Sequence, residues 1–103
     1  MITITPAAAD QIKLSAEKGD MQGLSMRIAA KRNPDGSIHY GMGFDDNKLD
    51  GDMRINAGGI EVVIGESSHV LMEGTTLDFV EIEPGTWQFI FMNPNDANYK
   101  PPA

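Results

Sequence analysis

The stretch "LSMRIAAKRNPDGSIHYGMGF", residues 24–44, decides the fold. Leu24, Met26, Ile28 and Ala30 fall on one side of an extended chain, and Ile38, Tyr40, Met42 and Phe44 do the same after a break. A period of two marks a strand with one buried face. Between the two runs, Asn33-Pro34-Asp35-Gly36 sets proline at the second turn position and a flexible glycine at the fourth, so the chain reverses there without help from a ligand. The segment predicts a β-hairpin. Gly41 and Gly43 inside its second strand predict a bulge or a close backbone approach.

Working outward, "ITIT" is a short strand before a helix over residues 6–18. Thr5 caps that helix, Pro6 takes the first helical position and Gly19 closes the end in the left-handed conformation. Its apolar stripe, Ala9, Ile12 and Ala16 with Ala8 and Leu14 at the margins, is thin and suits close packing against a sheet. Downstream of the hairpin, "DDNKLDGD" (45–52) reads as a solvated connection. It lacks the ligand spacing and terminal glutamate of a calcium loop. "MRIN" and "IEVVIG" are two short strands about Ala57-Gly58-Gly59, and "ESSHVLM" is one to two turns of helix. "TTLDFVEI" and "TWQFIFM" form a second hairpin about Pro84-Gly85, with Trp87, Phe89 and Phe91 on one face as core. The fold class expected is β-rich α+β, a compact sandwich of two mixed sheets with an N-terminal helix and a short second helix. One domain spans 1–95, and 96–103 is a flexible tail.

Composition removes whole classes of function. Eight basic against fifteen acidic residues give a formal net charge of −7 at pH 7, which opposes a phosphate backbone. The basic cluster Arg27, Lys31 and Arg32 makes no stripe, because Lys31 and Arg32 point to opposite faces of a strand. No run approaches the ~18 apolar residues of a membrane span, and no leader is visible, so the cytoplasm is the expected location. Ser67 and Ser68 beside His69 are neighbours in sequence only, which is not triad geometry, and no enzyme is expected. The chain has no cysteine, so thiolate nucleophiles, thiolate zinc sites and thiolate-ligated clusters are all excluded.

The block "GESSHVLMEGTTLDFVEIEPGTWQFIFMNPN" (65–95) is more specific than any periodicity. Met72-Glu73-Gly74-Thr75-Thr76-Leu77-Asp78-Phe79-Val80, followed by Phe89-Ile90-Phe91-Met92-Asn93-Pro94-Asn95, resembles the A-type iron–sulfur carrier family (IscA, SufA and HesB-like proteins). The first hairpin is similar to the family's at Arg27, Tyr40 and Phe44, and "IEVVI" and the N-terminal helix fit as well. The resemblance implies a compressed β-sandwich and a role in iron–sulfur assembly. It also implies three ligating cysteines, at the positions of Asp35, Lys100 and Pro102, none of which is cysteine here. The chain therefore resembles a cysteine-less, DsrR-like branch.

Two functional expectations follow. In the first, the chain holds no cofactor and binds a protein of iron–sulfur maturation or sulfur metabolism, through a surface of Asp35, His39, Tyr40 and Tyr99. In the second, Asp35, His39 and His69 bind mononuclear iron through oxygen and nitrogen, although no close histidine spacing supports it.

Overall fold

The computed structural model describes residues 2–47 and 49–97. Its elements in chain order are β1 (Thr3–Ile4), α1 (Pro6–Lys18), β2 (Ser25–Arg32), β3 (Ile38–Asp45), β4 (Met53–Ala57), β5 (Ile60–Ile64), α2 (Glu66–Leu71), β6 (Thr76–Glu83) and β7 (Thr86–Met92). The expected fold class is the observed one. One mixed sheet has the order β1-β6-β7 and the other β3-β2-β5-β4. β2 pairs antiparallel with β3 and parallel with β5, while β1 runs parallel to β6.

α1 begins as its sequence dictates, with the Ala8 N–H donating to Thr5 Oγ1 at 3.1 Å. Its end departs from expectation. Gly19 has φ −90°, and the left-handed residue is Asp20, at φ 55°. The Met21 N–H reaches Ala16 O at 2.8 Å and the Asp20 N–H reaches Glu17 O at 3.3 Å, closing the last turn one residue later than glycine placement suggested. Aspartate tolerates this conformation because its short polar side chain satisfies itself locally.

β2 and β3 pair from Ser25↔Asp45 to Arg32↔Ile38 without a register break. Gly41 and Gly43 thus mark neither a bulge nor a close approach, and a Cβ at either would meet nothing within 4 Å. The irregularity lies instead between Glu81 and Glu83 in the second hairpin. β5 pairs with β2 only as far as Ile28↔Ile64, after which the chain turns into α2. The Ala30 N–H, beyond the reach of β5, donates to Ser68 Oγ at 3.1 Å, so the helix takes over as neighbour of β2.

The core lies between the sheets. Ile12, Ile28, Val62, Ile64, Met72 and Leu77 are fully buried, with Tyr40, Phe79, Phe89 and Phe91 packed against them. Each such side chain stabilises by about 1.5–3 kcal/mol relative to exposure. Trp87 does not join them. It is 55% exposed, because the tip of the β6–β7 hairpin overhangs the core, and it stacks on Phe79 at 5.7 Å. Of the expected tail, Asp96 and Ala97 are anchored by Asp96 N–H to Asn93 O (3.1 Å) and Ala97 N–H to Gly36 O (3.2 Å). Residues 98–103 lie outside the described residues.

The handover from β5 to α2 yields a test. Ser68→Ala leaves the Ala30 N–H without its acceptor, and urea unfolding is expected to show a loss of about 1–3 kcal/mol.

Candidate functional site

Two polar assemblies tie the loops to the sandwich. The first surrounds the β2–β3 turn. Asn33 N–H donates to Ser37 O at 2.8 Å and Gly36 N–H to Asn33 O at 3.0 Å, with Gly36 at φ +88°, where glycine is unstrained. Asp35 Oδ1 accepts from the Ser37 hydroxyl at 2.6 Å and the Ser37 N–H at 2.9 Å. Those two donors, the hydroxyl foremost, hold the exposed Asp35 carboxyl below its usual range. Arg32 then bridges the turn to the 93–97 segment, donating to Gly36 O at 2.7 Å and Asn95 O at 3.1 Å.

Asn93 anchors this assembly from inside. Fully buried, it donates from Nδ2 to Leu71 O at 2.8 Å and to Tyr40 Oη at 3.0 Å. Its Oδ1 accepts from the Asn95 N–H at 2.9 Å, and Asn95 Nδ2 reaches Glu73 O at 2.9 Å. One amide therefore ties the end of α2, β3 and the 93–97 turn together. The Tyr40 ring stacks on Phe91 at 4.1 Å and 3°, and its hydroxyl faces Asp96 Oδ2 at 3.5 Å. Burial, the largest influence, raises the Tyr40 hydroxyl pKa, so the phenol stays neutral.

The sequence-predicted residues divide accordingly. Asp35 and Tyr40 belong to this one surface. His39 is exposed on β3, paired in register with Lys31, and His69 is half-buried on α2. Among the described residues no group of three His, Asp or Glu side chains converges to hold a metal ion, so Asp35, His39 and His69 are not brought together as ligands. Tyr99, Lys100 and Pro102 lie outside the described residues.

The second assembly corrects the reading of the acidic loop. Asp45 and Asp52, at its two ends, clamp Arg27. Nε donates to Asp45 Oδ2 at 2.5 Å, and the two terminal nitrogens donate to Asp52 at 3.0 and 2.9 Å. The loop is thus anchored at both ends, with Asn47 O accepting a further Arg27 bond at 3.2 Å. Arg27, helped by the Leu49 N–H, lowers the Asp52 carboxyl pKa to about 2. The Asp52 and Asp45 hydrogen bonds in turn push the guanidinium pKa further up. Gly51, at φ +83°, lies against Glu66, whose side chain a Cβ there would strike. Leu49, Asp50, Glu66, Ser67 and Val70 border an open cleft of about 570 Å³. The sequence shows an arginine in an apolar-alternating strand and a loop with aspartate at both ends, but nothing local in it pairs the two.

Each assembly has a measurable consequence. Asn93→Ala strips Tyr40 Oη and the Asn95 N–H of their buried partner and leaves Leu71 O only the longer bond from Asn95 Nδ2 at 3.3 Å, and it is expected to cost about 2–4 kcal/mol in urea unfolding. For Asp52, the folded pKa lies below the unfolded value of 3.8, so the ion pair adds stability that is fully present above about pH 4 and is lost as pH falls toward 2. The urea midpoint is expected to drop across that window. In Asp52→Asn it starts lower at neutral pH and drops less.

Among the described residues no helix is long and apolar enough to cross a membrane. Residues 1–98 match the family model described as iron–sulphur cluster biosynthesis. A protein of Cereibacter sphaeroides, described only as lying in the nifU 5′ region, is 34% identical over 95 residues, covering 92% of this chain and 89% of that protein. The iron–sulfur cluster insertion protein ErpA of Yersinia pestis is 33% identical over 94 residues, covering 91% of this chain and 82% of ErpA. The crystal structure of Escherichia coli SufA, a protein involved in biosynthesis of iron–sulfur clusters, superposes with a TM-score of 0.76 at 25% identity, covering 97% of this chain and 86% of SufA. With residues 1–98 of its 103 matched by the family model, this chain belongs to the iron–sulfur cluster biosynthesis family, in which IscA, SufA and HesB-like proteins stand.

Proposed function

We propose that this protein acts through protein–protein contacts, as an accessory or regulatory factor in iron–sulfur maturation or sulfur metabolism, without itself ligating a cluster. The observation that carries this reading is a family fold retained in full by a chain with no cysteine. Sulfide-bridged iron takes thiolate ligands, and this chain offers none. Asp35, at the first expected thiolate position, has one carboxylate oxygen committed to Ser37. The residues present do not fit a cysteine-ligated cluster.

What remains at that place is a turn closed by the chain's own hydrogen bonds. Asp35 and the Tyr40–Phe91 stack lie at a turn held by Arg32 and Asn93, and His39 is exposed on the opposite face of β3 from Tyr40. Rigid polar and aromatic groups on a supported loop bind with little ordering cost, which suits a recognition surface better than a reaction centre. Tyr99 belongs to the same proposed surface on sequence grounds. The reading sets the protein in the cytoplasm, beside its maturation or sulfur-metabolism partners, in a role like that of the DsrR-like branch.

The test has two parts. After anaerobic incubation with Fe(II) and sulfide and then desalting, the protein is expected to retain neither iron nor acid-labile sulfide. Cross-linking mass spectrometry in native extract is expected to place proteins of cluster maturation or sulfur metabolism on residues 33–40. Asp35→Lys is expected to weaken those cross-links several-fold without loss of fold. Retained iron with labile sulfide would overturn the proposal. Retained iron alone would revive the ligand set of Asp35, His39 and His69.

A further inference from the structure

Large apolar side chains left in water are ordinary when scattered and mark a contact surface when they converge. Among the described residues the two most exposed are Val70, at 68%, and Leu49, at 60%. They come from different segments, α2 and the acidic loop, yet both border the open cleft of about 570 Å³. Asp50 and Glu66 stand on the same border. Asp52 lines it too, but Arg27 meets its charge. Asp50 and Glu66 are exposed, and among the described residues neither forms an ion pair.

Both walls of the cleft are held in place. Leu49 is fixed through its backbone, its N–H donating to Asp52 Oδ2 at 2.9 Å and its carbonyl accepting from the Asp52 N–H at 3.3 Å. Arg27 grips Asp52 in turn. The other wall is α2, where Glu66 and Val70 are four residues apart and share a helix face. The buried Ser68, on the opposite side of that helix, meets Ala30. Side chains presented from a fixed loop and a fixed helix bind with little ordering cost.

We propose that this cleft docks a segment of a partner protein in which an aliphatic side chain stands next to lysine or arginine. The aliphatic group sits between Leu49 and Val70, and the cation lies beside Asp50 and Glu66. Charge selects this occupant. The loop 45–52 carries four aspartates to one lysine, in a chain of net charge −7, so an acidic segment, a phosphate backbone or an anionic lipid surface is repelled and a cation is drawn in. Shape selects its size. Small-molecule sites enclose roughly 70–90% of their ligand's surface, which an open cleft does not, so the occupant is held as part of a larger partner. The acidic loop leaves the β2–β3 hairpin at Asp45, the end opposite the Asn33–Gly36 turn, and the inference stands apart from the surface around Asp35.

A random peptide display library, selected on the full chain, tests the cleft. Selected peptides are expected to carry leucine, isoleucine or valine beside lysine or arginine. The tightest of them, synthesised and added to labelled protein, is expected to shift the amide NMR signals of residues 49–52 and 65–70. Its affinity is expected to fall several-fold as salt rises from ~0.05 to ~0.5 M, since the charges are solvent-exposed. Val70→Ser and Asp50→Lys alter exposed side chains, so circular dichroism is expected to show both folded, and each is expected to weaken the peptide ~10-fold. A library that yields no such sequences overturns the proposal, as does binding unchanged in both variants. Shifts confined to residues 33–40 overturn it too, and still support the surface around Asp35.

Discussion

The structure around the β2–β3 turn depends on one buried amide. Asn93 is the point where three otherwise separate pieces of chain meet: the end of α2 through Leu71 O, β3 through Tyr40 Oη, and the 93–97 turn through the Asn95 N–H. A hydrophobic residue of similar volume would fill the space but satisfy none of these groups, and an unpaired buried carbonyl costs more than a bond contributes. An aspartate would accept from Asn95 but could not donate to Leu71 O. Asparagine is the side chain that supplies both a donor pair and an acceptor at one place. The Tyr40 hydroxyl is held here, and its ring lies flat on Phe91.

The acidic loop is fixed by a different kind of interaction. Arg27 is delocalised and planar, so it meets both oxygens of Asp52 while its Nε meets Asp45. A lysine in that place would offer one point charge and lose the bidentate geometry. The pair sits at the protein surface, with the Arg27 side chain 19% and the Asp52 side chain 2% accessible, so the carboxylate is shielded better than its partner. That shielding, together with the Leu49 N–H, ties down both ends of an apparently solvated loop.

Much of this was legible in the sequence, and what was not has identifiable physical causes. The two hairpins, α1 and the core faces of β2 and β3 follow from alternation and capping, which are local. Trp87 misled because alternation tells which face a residue occupies but not how far along the strand the opposing sheet extends; past that limit the inward face is exposed. Asp20 took the left-handed position that Gly19 was expected to hold, because helix-end geometry depends on where the last carbonyls find donors and not on glycine alone. The pairing of Arg27 with Asp45 and Asp52, and of Asn93 with Tyr40, joins residues 18 to 53 positions apart, and no local pattern encodes such distances. Within the contact surface, the Asp35 turn could be read and its docking to Asn95 through Arg32 could not.

The absence of thiolates acquires meaning from how the β2–β3 turn is held. A turn whose shape depended on metal ligation would need its ligand to stay closed, since metal binding energy is then folding energy. Here the turn is closed by Ser37, Asn33 and Arg32, and it is tied from below by Ala97 and Asn95. Asp35 contributes to that closure as an acceptor of two local hydrogen bonds, a role that a cysteine thiol, a weak acceptor, fills poorly. At this position the aspartate secures the loop. The shape of this turn is maintained by the chain's own hydrogen bonds and needs no bound metal to hold it closed.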